Sequence, residues 1–199
     1  MKAEVVPNSV DCKEFKKFDR KKARKELSFD EKDFIVLFVG NAEWVKGLRY
    51  LVDAVKGIPD SKLSIVGLNE TGWIREALGK RVSFAGYVPH KELSKYYSAA
   101  DVLCVPSVYE AFGLMYAEAQ CFGIPCIGSR GTGAEEVIGE GVNGFLAEKR
   151  DSEGIENALS KIMNAAARKR LSGNALKQAG LFSAEKSAST MLKICNSFK

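Results

Sequence analysis

Glu110 and Glu118 stand eight positions apart, on either side of a turn-like segment, Ala111-Phe112-Gly113, that leads into an apolar run. A strand-like run, Asp101 to Val105, comes just before them and is stopped by Pro106. This order puts Glu110 in the loop at the carboxyl end of a strand. It puts Glu118 about one turn into the next helix, roughly 6 Å along its axis at 1.5 Å per residue. The helix amino terminus between the two acids offers free backbone N–H groups and a partial positive charge, which suit a phosphate. Carboxylates are poor phosphate ligands but good acceptors for sugar hydroxyls. Together these groups point to a ligand that carries both phosphate and several hydroxyls, as a nucleotide sugar does.

Three further segments carry chemically suggestive residues. In Gly40-Asn41-Ala42-Glu43-Trp44-Val45-Lys46-Gly47 a strand ends at Gly40 and a helix is expected to start near Gly47. Lys46 can reach a diphosphate there as a point charge. Taken alone it reads as an ordinary surface lysine; beside the glutamate motif the diphosphate role is the better reading. Gly128-Ser-Arg-Gly131-Thr-Gly133-Ala-Glu135-Glu136 has glycines that permit close backbone approach. Its order is not G-x-G-x-x-G, which argues against a nicotinamide enzyme. Gly86-Tyr87-Val88-Pro89-His90 reads as a strand end where a nucleobase can stack or bond to backbone.

The elements that must position these residues follow from the apolar pattern. Phe34–Gly40 is a continuous apolar run closed by glycine, as in a strand buried on both faces of a parallel sheet, and Leu63-Ser-Ile-Val-Gly67 reads as a second strand, again closed by glycine. Val82–Gly86, Asp101–Val105, Pro125–Gly128 and Gly144–Ala147 predict four more strands. Helices are predicted over Leu48–Val55, Thr71–Leu78, Lys91–Ala99 and Gly113–Phe122, with a brief one over Ala134–Ile138. Beyond Asp151 the pattern is helical throughout. Strand, glycine-containing loop and helix alternate about six times, which predicts a doubly wound α/β domain with a parallel sheet. Ligands bind such sheets outside the carboxyl ends of the strands, where all the suggestive residues fall.

The chain has 199 residues, 46% hydrophobic and 28% charged, and reads as one soluble globular domain. No apolar run approaches a membrane span, and Met1 to Pro7 contain no secretory signal. Cys12, Cys104, Cys121, Cys126 and Cys195 include no C-x-x-C pair, so buried reduced thiols are expected. A single histidine, His90, argues against a histidine-based metal site. Net charge is +5, and much of it lies in Lys13, Lys16, Lys17, Arg20, Lys21, Lys22, Arg24 and Lys25. That run is expected to be the solvated face of a surface helix, with contact to an anionic lipid as the functional alternative. No interleaving of aromatic and basic residues supports nucleic-acid binding.

These residues, in this order, resemble the donor-binding half of GT-B glycosyltransferases, and glycosyltransferase family 4 in particular. The resemblance runs from Val6-Pro7-Asn8-Ser9-Val10-Asp11 to the helices past Asp151. It includes Gly40, Lys46-Gly47, Ile65-Val66-Gly67, Phe84-x-Gly86, Pro106-Ser107, Glu110-x7-Glu118, Gly123-x-Pro125 and Gly144-Phe145. It implies a Rossmann-like, six-stranded carboxyl-terminal half of a GT-B fold over residues 1–199, with 1–30 as the interdomain crossover and 151–199 helical. It implies that Glu118 binds the donor ribose and that Glu110 faces the transferred sugar. Lys46 joins Glu110 as a catalytic group, acting on the diphosphate. Gly40, Asn41, Tyr87, Val88 and the backbone of Phe112, Gly113 and Leu114 complete the donor site.

The activity implied is transfer from a UDP-, GDP- or ADP-sugar with retention of configuration and no metal or other cofactor. The location implied is the cytoplasm, at the inner face of the membrane where the acceptor is a lipid. Two departures stand out. Asn41 occupies the place where the family has an arginine, leaving Arg130 or Arg49 as the candidate replacement. The amino-terminal acceptor domain of the family is missing, so that another domain or a partner chain must supply it. The alternative reading is a sugar-nucleotide binding or regulatory module without turnover of its own. An epimerase or phosphorylase on the same fold is a weaker reading, since no lysine segment points to a pyridoxal cofactor.

Overall fold

The computed structural model describes residues 6, 8–15 and 17–197. Pro7 of the amino-terminal motif and Lys16 of the basic run lie outside the described residues, as do 1–5, 198 and 199.

Six parallel strands form the sheet: β1 (Phe34–Val39), β2 (Ser61–Val66), β3 (Val82–Phe84), β4 (Val102–Cys104), β5 (Cys126–Ser129) and β6 (Gly144–Ala147). Every predicted strand is present, β2 beginning two residues before the expected Leu63. The spatial order is β3-β2-β1-β4-β5-β6. The chain winds outward from β1 in one direction, then returns to β4 and winds outward in the other. The order therefore reverses between β1 and β4, and a crevice opens at the carboxyl ends of those two strands. β1 fills the centre, which is why five of its six residues are buried and no alternation is seen.

Helices α1 (Arg20–Glu26), α2 (Leu48–Lys56), α3 (Gly72–Leu78), α4 (Leu93–Ala99) and α5 (Leu114–Cys121) accompany the first strands. After β6 come α6 (Ser152–Met163), α7 (Ala165–Ala179) and α8 (Ala184–Ser197). α2 buries Leu48, Leu51, Val52 and Val55, the stripe expected from the sequence. α5 is buried nearly all round, Glu118 and Gln120 included. Two expectations shift locally. Residues His90–Glu92 form a 3-10 turn before α4, and the brief helix after Gly133 is a 3-10 turn over Gly133–Glu136. No helix of the described residues is long and apolar enough to cross a membrane.

Two sequence expectations are corrected. Cys12 and Cys121 are not reduced thiols but are joined as a disulfide, with Cα atoms 5.4 Å apart, tying the segment before α1 to the end of α5. Cys195 is exposed, and only Cys104 and Cys126 are buried free thiols, their burial raising both pKa values. Nor is the basic run uniformly solvated: Arg24 is 2% exposed. Its Nη2 lies 2.7 Å from Asp101 Oδ2, and its other N–H groups donate to the carbonyls of Ala99, Asp30, Glu31 and Asp33. Burial pulls its pKa down and the Asp101 charge opposes that pull.

Asp101, at the entry to β4, is the counterpart. It accepts from Arg20 Nη2 at 2.6 Å, from Arg24 and from the Ile35 amide at 2.8 Å, and Arg168 Nε stands 3.5 Å away. One buried carboxylate thus joins α1, β1, β4 and α7. Asp101→Asn leaves the Arg24 guanidinium buried without its counter-charge. It is expected to lower the free energy of unfolding by about 3 kcal/mol, read as a shift in the urea midpoint at unchanged slope. An unshifted midpoint would remove Asp101 from this role.

Candidate functional site

The loops after β1 and β4 leave the sheet side by side and touch. Gly47 is buried with φ +67°, and a Cβ built on it would lie 2.0 Å from the Pro106 carbonyl oxygen. Next to this contact the Val108 amide donates to the Val45 carbonyl at 2.8 Å. Only a residue without a side chain permits this approach. A third loop closes on the second: the Gly133 amide donates to the Glu110 carbonyl at 2.8 Å, and a Cβ at Gly133 would sit 2.1 Å from the Ala111 carbonyl oxygen. On the other side, the amide of Gly40 donates to Val66 and that of Gly67 to Gly86, which brings the ends of β1, β2 and β3 level. The predicted glycine loops therefore form one rim.

This backbone brings Lys46 and Glu110 together. Lys46 Nζ is 2.7 Å from Glu110 Oε2, and Ser107 Oγ donates to the same oxygen at 3.2 Å. The side chains are 21% and 10% exposed, so the pair is shielded from water yet reachable from the crevice. Gly113, at φ +84°, is the N-cap of α5 and supplies no side-chain cap. The first-turn N–H groups of α5 are thus left without a side-chain partner beside the Lys46–Glu110 pair. Phe112 turns its ring into the core against Phe182, with centroids 5.6 Å apart, so only its backbone serves the rim. Leu114 is exposed at the helix start.

Glu118 lies on the fifth position of α5, one turn in, as expected. Its two oxygens are held separately: Tyr97 donates to Oε2 at 2.7 Å, and His90 Nε2 is 3.0 Å from Oε1. Burial, and next the Glu118 charge, push the Tyr97 hydroxyl pKa well up, so Tyr97 stays a neutral donor. A cavity of about 180 Å³ opens on Glu118, bounded by His90, Leu114, Asp11 and Phe15. A larger one, about 540 Å³, lies at the opposite ends of the strands, near Asp101 and Pro125, and contains none of these groups.

Tyr87 is 86% exposed at the rim, and Val88 packs partly against the core. Asn41 is exposed. Of the two arginines expected to compensate, Arg49 is exposed and stands 4.0 Å from Asp53, and Arg130 lies between Glu140 and Glu148 at 3.2 and 3.5 Å. The hold of Tyr97 and His90 on Glu118 was missed from sequence. Tyr97 falls on the apolar stripe of α4 with Leu93, and nothing in that spacing marks a polar duty.

A family model, Glycosyl transferases group 1, matches residues 19–178. The chain belongs to this family. Among curated members, a D-inositol 3-phosphate glycosyltransferase of Segniliparus rotundus is 32% identical over 206 residues, covering 96% of this chain and 46% of that protein. The chain spans about half the length of the curated relatives it matches. Sucrose-phosphate synthase from Thermosynechococcus elongatus superposes with TM-score 0.88 at 31% identity, over 98% of this chain and 52% of that one. Anabaena Alr3699/HepE, solved with UDP-glucose, shares the fold at TM-score 0.85 and 24% identity, over 98% of this chain and 57% of that one. The sheet is thus that of GT-B glycosyltransferases of group 1, matching the resemblance read from the motifs.

The group 1 rim rests on the glycine contact. Gly47→Ala is expected to destabilise the chain by about 3 kcal/mol, since the methyl must displace a carbonyl and adopt a disfavoured φ. Chemical denaturation measures it; a loss below about 0.5 kcal/mol would show that the loops yield without strain.

Proposed function

We propose that this chain is the donor-binding half of a retaining group 1 glycosyltransferase. It would hold a nucleotide sugar at the reversal between β1 and β4. The observation that supports this most is the 2.7 Å Lys46–Glu110 pair lying beside the uncapped start of α5, with Glu118 one turn further along. Cation, helix terminus and two carboxylates are the set that a diphosphate and its two sugars need.

In this reading Glu118 accepts hydrogen bonds from the donor ribose, its orientation fixed by Tyr97. The diphosphate lies against the N–H groups of α5 and takes Lys46 from Glu110. As the bond between the anomeric carbon and the diphosphate oxygen breaks, the growing negative charge on the leaving group is stabilised by Lys46 and the helix terminus. Glu110, released, faces the transferred sugar. The acceptor hydroxyl oxygen bonds to the anomeric carbon on the face the diphosphate leaves and gives its proton to the departing diphosphate oxygen, which retains configuration. No metal is assigned to these steps. Gly40, Asn41, Tyr87 and Val88 border the nucleobase end.

The acceptor is assigned to another half, from a further domain or a partner chain, with residues 1–30 as the crossover towards it. Without that half the domain is expected to bind donor and not to transfer. We place the reaction in the cytoplasm, and at the inner membrane face where the acceptor is a lipid. The exposed lysines Lys13, Lys17, Lys21, Lys22 and Lys25 favour such contact. A second reading, a sugar-nucleotide binding module without turnover, is favoured by Asn41, which supplies no cation where the resemblance implies an arginine.

Calorimetric titration with UDP, GDP and ADP tests the proposal. One of them is expected to bind at millimolar concentration or below. Glu118→Ala is expected to weaken it about tenfold, the loss of charge-assisted bonds to the ribose. Glu110→Ala is expected to leave nucleotide affinity unreduced and to lower sugar transfer in the complete enzyme. Silence with all three nucleotides removes the donor site; unchanged affinity in the Glu118 variant removes the ribose assignment.

A further inference from the structure

The cavity of about 540 Å³ at the amino ends of β4 and β5 is lined by four cationic side chains, Lys17, Arg20, Arg168 and Lys169, and by a single carboxylate, Asp101. That carboxylate is already taken. Arg20 and Arg24 occupy its two oxygens at 2.6 and 2.7 Å, and Arg168 approaches the first at 3.5 Å. One negative charge therefore answers three guanidiniums. Lys17 and Lys169 add to the excess, since neither has a carboxylate partner among the described residues. Lys17 stands 6.0 Å over the ring of Phe122, which forms part of the apolar wall.

Arg168 and Lys169 sit near the amino terminus of α7, where the helix end is itself positive and no acidic residue occupies the first turn. Arg168 is anchored by its Nη1, which donates to the Ile162 and Met163 carbonyls at 3.0 Å each; its Nη2 has no hydrogen-bond partner among the described residues. Two separate segments of chain, at the start of α1 and at the start of α7, converge to place positive charge around one partly enclosed space. Such a concentration lowers the energy of an anion entering it. The volume falls in the range of small-molecule sites, and the Phe122 and Pro125 side offers apolar surface to an organic group.

We infer that this cavity is a second binding site, separate from the donor site, for the phosphate of a small organic phosphate or of a phospholipid headgroup. The Nη2 of Arg168 and the ammonium groups of Lys17 and Lys169 are its ligands. Arg20 and Arg24 hold Asp101 below them, so that Asp101 does not quench the site. The inference does not depend on the donor assignment.

The test is a nitrogen-15 NMR titration of the chain with inorganic pyrophosphate at low salt, read residue by residue. Amides of Gly123 and Ser172 report the basic cavity; those of Gly113 and Gly133 report the strand carboxyl ends. A double variant, Lys17→Ala with Lys169→Ala, removes two side chains that hold no other ionic partner and so should leave the fold intact. Shifts at Gly123 and Ser172 are expected in the unaltered chain, and at least about tenfold weaker binding there in the double variant, with Gly113 and Gly133 responding alike in both. A second arm sediments the chain with phosphatidylcholine vesicles containing phosphatidic acid. Binding to vesicles but not to pyrophosphate, lost in the double variant, assigns the phosphate to a lipid. Shifts confined to Gly113 and Gly133, or no difference between the two chains in either arm, overturn the second site.

Discussion

The approach of Gly47 to the Pro106 carbonyl is the constraint on which the rest of the site depends. β1 and β4 are neighbours in space but lie far apart in sequence, and the winding of the sheet reverses between them. Their following loops leave in the same direction and must pass each other. The absent side chain at Gly47 and the Val108–Val45 hydrogen bond let them pass in contact. That contact sets the distance between Lys46, one residue before the glycine, and Glu110, four after the proline. Gly133 then holds Glu110 from the other side through its carbonyl. The chemistry-bearing side chains are therefore placed by backbone contacts between loops, each anchored on a buried strand.

The electrostatics of the two sheet ends differ in kind. At the carboxyl ends, Lys46 and Glu110 neutralise each other while a helix terminus lies open beside them. In the proposed reading a diphosphate takes the lysine while Ser107 remains on the released carboxylate. At the amino ends, one carboxylate serves several arginines, whose remaining N–H groups donate largely to backbone carbonyls. A sheet with all strands parallel makes this separation natural: loops of one kind gather at one end, and helix-to-strand returns at the other. The first end carries the proposed donor site. The second follows only from the particular placement of Arg20, Arg24, Arg168 and Lys169 in this chain.

Much of the fold was legible in the sequence because its strands are buried on both faces. Phe34–Val39 shows as an unbroken apolar run and Leu63–Val66 as a mostly apolar one, and glycines mark their exits. The glutamate motif was legible because its residues are close in sequence and bracket a helix start. Contacts between distant segments were not. Lys46 and Glu110 are 64 residues apart and Cys12 and Cys121 are 109 apart, and no periodicity links either pair. Arg24 sits among solvated lysines, and its burial depends on the Asp101 carboxylate waiting beneath it. Tyr97 looks like a core residue in sequence and is one; its hydroxyl meets Glu118 only because α4 packs beside α5. The motif thus named the carboxylates, while their partners required the fold.

The most direct measurement is a crystal structure of the chain with a bound nucleoside diphosphate. The account predicts the diphosphate at the start of α5, Lys46 Nζ moved from Glu110 to within about 3 Å of a phosphate oxygen, and the ribose hydroxyls on Glu118. A diphosphate bound elsewhere, or bound there with Lys46 still paired to Glu110 and Glu118 facing away from the ribose, would contradict it.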